Sequence, residues 1–453
     1  MVQQLKQSAL VLFVLALSVN SGFSQQVITL QDALNYALEN SEVMKQAKLD
    51  VENGNQKVTE SLSSALPQIN AASSVTGNPI VQSFVLPADF MGGAPGEFVA
   101  IRAGQTWSAM TQVTLSQQLY NQQVFSGLKA ARGSAQYYEI AAQLSEENVL
   151  QQVATNYYQL VVTREKMGTL DANIARVDEL QKILVSQVEN GLAKKIDLDR
   201  VRVNKTNLEA QKLELDNAVI QMENLLKYYM GMPIEEQISI PATAHGELEN
   251  YAKGIISTDQ FNVENLTSFR MLNKQAELLN LQTKVFKANY YPTLSLSGHY
   301  SYNTQSNDFN LYTKKALSYD MAAVSLNLSI PIFDGLAKRA KVKSSEIQLE
   351  QLRQEMTKTS NALTMSFHNA KLQISNSLKT IQVQEANKEL AKEVYDITNS
   401  NYQLGLSSLT DLINAETELR TAENSYNEAL LQYKVAEIEM IKAKGEIGTL
   451  LNK

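Results

Sequence analysis

The chain carries one pattern twice. A single constant shift lays Gly191 on Gly405, Leu192 on Leu406, Asp197 on Asp411, Leu198 on Leu412, Glu209 on Glu423, Glu223 on Glu437 and Gly231 on Gly445. Such self-similarity constrains a fold more than local propensity does, because each copy must repeat one succession of elements. Upstream, Ala65-Leu66-Pro67 parallels Tyr290-Tyr291-Pro292, and Leu119-Tyr120-Asn121 parallels Ile332-Phe333-Asp334, with a longer loop in the first copy. Each copy reads helix, strand, loop, strand, long helix, turn, helix. The repeats span residues 25–231 and 261–453. Residues 232–260 hold Pro233, Pro241, Gly246 and Gly254 without a sustained period and read as a linker or small mixed region.

The long helices are the most explicit elements. Residues 124–190 contain no proline, and at 1.5 Å per residue they predict a rod of about 100 Å. Val153, Leu160, Met167 and Ile174 recur every seventh position, as do Leu170, Val177 and Leu184. This is a coiled-coil seam. The period resumes after Gly191 with Val201, Leu208, Leu215, Met222 and Tyr229. In the second repeat Phe367, Ile374 and Ile381 form one seam. Leu412, Leu419, Tyr426, Tyr433, Met440 and Ile447 form another. A parallel stripe of Ala415, Ala422, Ala429, Ala436 and Ala443 predicts close helix contact. Gly191 and Gly405 interrupt without proline, so they read as left-handed C-caps at hairpin tips.

Between the helices lie strands of period two. Ala322, Val324, Leu326, Leu328, Ile330 and Ile332 alternate with small or polar residues, and Leu294, Leu296, Gly298, Tyr300 and Tyr302 do the same. Val113, Leu115 and Leu119 alternate in the first repeat, and residues 68–76 do so more weakly. A soluble sandwich and a membrane barrel both fit this pattern. The barrel is favoured by strands of about ten residues, by aromatics at strand ends (Tyr120, Phe333, Tyr290, Tyr291, Tyr300, Tyr302), and by the lack of a second apolar sheet. Val324, Leu326, Leu328 and Ile330 are then lipid-facing. Four strands cannot close a barrel, and lipid forbids open edges, so the barrel reading requires several copies.

Residues 1–7 are polar and carry Lys6, residues 9–19 are almost wholly apolar, and Gly22 and Ser24 are small. This three-part layout predicts a signal peptide over residues 1–24 and a mature start near Gln25. The chain has no cysteine, and its net charge of −7 argues against a nucleic-acid partner. His245, His299 and His368 are far apart, and no metal-ligand, phosphate-loop, dinucleotide or nucleophile motif is present. No enzymatic activity, cofactor or metal site is expected. Residues 91–96 read as an exposed turn, and His299 falls on the polar strand face.

Taken in order, these segments resemble the TolC-like family of outer-membrane efflux proteins across the whole mature chain. The resemblance rests on Ile28-Thr29-Leu30, Ala33-Leu34, Ala37-Leu38 and Asn40-Ser41, on Leu66-Pro67, and on the strand ends Leu119-Tyr120-Asn121 and Ile332-Phe333-Asp334-Gly335. It rests also on the tips Gly191-Leu192 and Tyr402 to Gly405-Leu406, and on Asp411. It implies a mainly α fold with a membrane β-barrel part. Long antiparallel helices form a periplasmic α-barrel, and each protomer gives four strands. It further implies a homotrimer with a twelve-stranded barrel and a twelve-helix tunnel, fed by an inner-membrane pump through a periplasmic adaptor. Asp411, Asn414 and Asp197 would line a pore constriction, and Gly191, Leu192, Gly405 and Leu406 would form the periplasmic tip turns. Ser407 stands where the type member has a tip arginine, and Asn414 where it has a second aspartate. The resemblance therefore does not extend to a tip salt bridge or to a strongly cation-binding constriction. Asp411 has a competing reading as a cap of the returning helix. The expected function is passive export of small toxic compounds. The alternatives are a duct for secreted polypeptides and, from another class, a periplasmic coiled-coil scaffold.

Overall fold

The computed structural model describes residues 26–241, 261–311, 313 and 316–452. The signal-peptide reading and most of the linker, with His245, lie outside these residues. Among the described residues there are seven helices: α1 Leu30–Asn40, α2 Glu42–Ser63, α3 Gln122–Glu189, α4 Lys195–Met230, α5 Thr267–Ala288, α6 Ala337–Gln403 and α7 Leu409–Lys444. Eight strands accompany them: β1 Gln26–Val27, β2 Gln68–Gly77, β3 Ser83–Pro87, β4 Phe98–Arg102, β5 Trp107–Asn121, β6 Ile238–Ser239, β7 Thr293–Ser306 and β8 Leu317–Ser329. No helix among the described residues is long and apolar enough to cross a membrane.

The chain divides into two compact units, each drawing on both repeats. The first comprises Met1–Asp50, Glu139–Met271 and Met356–Lys453. Most of its heptad positions are buried as the sequence predicts, among them Val153, Leu160, Val177, Leu184, Val201, Ile374, Ile381, Leu412, Tyr433 and Met440, whereas Met167, Ile174, Leu215, Met222 and Tyr229 are half-buried. Complete burial of one such aliphatic side chain contributes about 1.5–3 kcal/mol. The alanine stripe from Ala415 to Ala436 is buried too, and these methyl-sized side chains let α7 approach its neighbours closely. A short parallel pair, β1 with β6, ties the start of the chain to the segment after α4. Gly231 ends α4 with positive φ, and any Cβ there would collide with the Asn40 carbonyl, so glycine is required twice over.

The second unit, Val51–Tyr138 and Leu272–Glu355, holds a four-stranded antiparallel sheet of order β2-β5-β7-β8. Each repeat supplies one hairpin, and β5–β7 pairing joins them. Three expectations need correction. β8 stops at Ser329, so Ile330 and Ile332 lie past the ladder although they continue its alternation. Pro331 has no N–H to donate, and the chain turns at Gly335 and Leu336, both of positive φ. Leu119 does not share a paired face with Val113 and Leu115, because the β5–β7 register shifts between Gln118 and Tyr120. The long strand-to-strand loop of the first repeat contains a second sheet: β3 and β4 form an antiparallel hairpin around a 3-10 turn, Ala88–Met91, while residues 91–96 at its end are exposed as read.

Candidate channel surfaces

The sheet has two chemically distinct faces. Cross-strand register puts Ile69, Val113, Leu115, Leu294, Leu296, Tyr300, Val324, Leu326 and Leu328 on one side. Val324, Leu326 and Leu328 are each more than 60% exposed in the single chain. Ile330 is also exposed, but beyond the strand. The other side carries Asn70, Ser74, Gln112, Thr114, Ser297, His299, Ser325 and Asn327, and the Asn327 amide donates to Ser297 Oγ at 3.0 Å. Aromatics mark both ends of the ladder. Trp107 and Phe309 meet edge-on at 4.7 Å at the loop end, and Tyr120 and Phe125 lie 6.4 Å apart where the helices begin. An apolar band between aromatic rims matches the requirements of a lipid-facing barrel wall. Both outer strands, β2 and β8, have one unpaired edge.

The hairpin tips are built by local backbone chemistry. At Gly191 and Gly405, φ is 70° and 74°. Leu192 N–H donates to the Gln187 carbonyl and Leu406 N–H to the Asn401 carbonyl, each at 2.7 Å. Gly191 and Gly405 N–H groups reach Val188 and Tyr402, completing a Schellman closure at each tip. The following leucines project outward, Leu192 at 80% exposure and Leu406 at 75%.

The residues expected at a constriction divide between two helices. Asp411 and Asn414 are both exposed on α7, one turn apart and away from buried Leu412 and Ala415. Asp411 also completes a capping box. Its carboxylate accepts from Ser408 N at 3.1 Å and Ser408 Oγ at 2.6 Å, while Asp411 N–H donates to Ser408 Oγ. The Ser408 hydroxyl, then the Ser408 backbone N–H, hold the Asp411 carboxyl below its ordinary range. Asp197 stands apart on α4. Lys194 occupies the N-cap there and makes no side-chain cap, so the two repeat mates differ. Asp197 instead lies 3.9 Å from Arg200, whose guanidinium donates to Thr410 Oγ1 of α7. Capping therefore accounts for Asp411 and not for Asp197.

One polar cluster was not singled out from the sequence. Glu416 is buried on α7 with Arg176 Nε of α3 at 3.9 Å, and Arg176 lies over the Tyr395 ring at 5.7 Å. Burial pushes the Glu416 carboxyl up, opposed by Arg176 and Arg420. Glu423, one heptad on, is pushed up by burial and opposed by Arg176, Lys388 and Lys392. The available signal was a glutamate beside each of two alanines of the stripe, Ala415-Glu416 and Ala422-Glu423.

A family model described as Outer membrane efflux protein matches residues 33–232 and 264–446. The chain is 20% identical over 421 residues to the outer membrane protein TolC of Vibrio cholerae serotype O1, covering 93% of this chain and 91% of that protein. It is 20% identical to the proteases secretion protein PrtF of Dickeya chrysanthemi over 67% of this chain and 65% of that one. Among solved structures it resembles the Campylobacter jejuni CmeC outer membrane channel. The TM-score is 0.72 at 17% identity, covering 92% of this chain and 85% of that one.

Proposed function

This chain belongs to the outer membrane efflux protein family, and from that premise we propose that three copies close one continuous channel through the outer membrane and into the periplasm. The carrying observation is the pair of unpaired strand edges. β2 and β8 flank a sheet whose apolar face is lipid-like, and hydrocarbon cannot satisfy a bare backbone edge. Pairing β2 of one copy with β8 of the next satisfies every edge when the ring closes. Three copies give a twelve-stranded barrel. The helices carry a matching signal: Val383, Leu390 and Ile397, spaced by seven on α6, and Ile196, Val203, Leu213 and Ile220 on α4 are exposed apolar positions in the single chain. Such stripes suit helix contacts between copies.

In this assembly Val324, Leu326 and Leu328 meet lipid, and the serine- and asparagine-rich face lines the lumen. Asp411 and Asn414 ring the narrow periplasmic end, with Asp197 beside them. The exposed tip leucines, Leu192 and Leu406, offer apolar contacts to a periplasmic adaptor that joins the duct to an inner-membrane pump. The protein acts as a passive conduit rather than an enzyme, and the pump supplies the work. Small toxic compounds are the proposed cargo. A polypeptide cargo is the second reading, favoured by the likeness to PrtF. Native mass measurement of the detergent-purified protein, with planar-bilayer recording, tests the assembly. Three copies and discrete conductance steps are expected; a stable monomer in a membrane-like setting would overturn it.

A further inference from the structure

The β3–β4 hairpin is left unexplained by a simple pipe. It rises from the end of the sheet opposite the helices, between Gly77 at the end of β2 and Trp107 at the start of β5. Its stalk is ordered by hydrogen bonds from Asn78 N to Thr106 O at 2.7 Å, Ala103 N to Gln82 O at 3.0 Å and Ala88 N to Glu97 O at 2.8 Å. The register places Phe84, Leu86, Val99 and Ile101 on one face and Val85, Pro87, Phe98 and Ala100 on the other. Both faces are thus apolar, and Phe84, Val85, Leu86, Phe98 and Val99 are all exposed. At the turn, Phe90 is 82% exposed. A lone two-stranded hairpin is marginal in water, and apolar side chains on both its faces require cover on both.

We propose that the hairpins of neighbouring copies pack on one another over the outer mouth of the channel and form its lid. This rests on the three-copy reading. Lipid is the poorer occupant, because the hairpin's outer edges carry unpaired backbone groups that hydrocarbon cannot satisfy. Asp89, Glu97 and Arg102 also lie within or beside it. A second copy is the better occupant for two reasons. The hairpin follows β2, one of the two edges at which copies join, so contact between hairpins continues that seam. And in a closed ring each hairpin meets one neighbour with one face and the other neighbour with the opposite face. That arrangement uses apolar character on both sides, which a membrane surface would not.

The chain has no cysteine, so a Phe84→Cys/Phe98→Cys variant introduces one thiol on each hairpin face, the two faces that neighbouring copies bring together in the lid. Oxidation of the purified double variant is expected to link each copy to its neighbours by disulfides, with the three-copy mass unchanged. In planar bilayers, oxidation lowers conductance and reduction restores it. A Phe84→Asp/Phe98→Asp double variant keeps the three-copy mass and shows raised conductance, since the lid no longer closes. A three-copy protein whose Phe84→Cys/Phe98→Cys thiols fail to link, and whose conductance ignores both oxidation and the Asp pair, overturns the lid. So does a fluorophore on Phe98→Cys that is quenched by spin-labelled phospholipid in vesicles, which would make lipid the occupant. If the unaltered protein is not a three-copy assembly, the channel reading fails first and the lid falls with it.

Discussion

An arginine scan along β8 measures which face meets lipid and how deep each position lies. The apolar band runs from the Leu294–Leu328 pair to the Tyr300–Ala322 pair, and Asp320 opposite Tyr302 marks its outer limit. Measured from the Leu294–Leu328 pair to the Tyr302–Asp320 limit, its centre falls at Gly298 and Val324. Leu328 lies four residues from Val324, so at 3.3 Å per residue and a tilt near 40° it sits about 10 Å along the membrane normal. That is close to the edge of a band about 25 Å tall. Val324→Arg is therefore expected to cost about 2–4 kcal/mol, and Leu328→Arg about 0–1 kcal/mol. The first figure corresponds to roughly 30-fold to nearly 1,000-fold in the folding equilibrium. Leu326→Arg should fall between them. Asn327→Arg lies on the opposite face and loses the bond to Ser297 Oγ, so its cost should stay within about 0.5–1.5 kcal/mol. Denaturant titration of protein refolded into phospholipid vesicles reads these values. Equal losses at Val324, Leu328 and Asn327 would refute both the lipid face and the depth assignment.

Three further outcomes follow from the helical part. Asp411→Asn should weaken cation preference and block by multivalent cations in bilayer recordings if three carboxylates share the constriction. Unchanged selectivity, with a stability loss of about 1 kcal/mol or less, would leave Asp411 its capping role alone. Ala436→Leu, at a site 1% exposed, should overpack the α7 contact and cost about 1–3 kcal/mol; unaltered thermal unfolding would refute the close approach. Glu416→Gln should change the pH profile of stability. The folded protein holds this proton more tightly than the unfolded chain, so the wild type gains stability as pH falls through the raised folded pKa. The gain is complete below the ordinary value of 4.5. The difference between wild type and variant isolates this gain from the other carboxylates; a pH-independent difference would contradict the burial of Glu416.

Much of this architecture was legible because its signals are local. Heptads name a helix and its buried stripe, and Gly191 and Gly405 name left-handed turns that other residues enter at a cost. Alternation names a strand and its faces, yet it does not say which strand lies beside which. The β5–β7 pairing across the two repeats is absent from any local pattern. Alternation also ran on through Pro331, where the ladder stops for want of a donor. The β3–β4 hairpin was obscured because Phe84-Val85-Leu86 is apolar without a break and sits beside a glycine- and proline-rich turn. The difference between Asp411 and Asp197 was readable in principle. Ser408 stands three residues before Asp411, whereas Lys194 stands before Asp197, and only a hydroxyl can close a capping box.

The bare edges of β2 and β8 bear on biogenesis as well as architecture. In the proposed three-copy assembly a lone copy has no low-energy place in hydrocarbon, so membrane entry and subunit association would not separate into successive steps. Newly exported chains would then wait in the aqueous compartment, with their sheet edges and apolar faces uncovered, until enough of them meet. The yield of channel should then rise more steeply than linearly with the supply of chains. A slow supply prolongs exposure to periplasmic proteases and to edge-to-edge aggregation, so holding chaperones would matter most when expression is low.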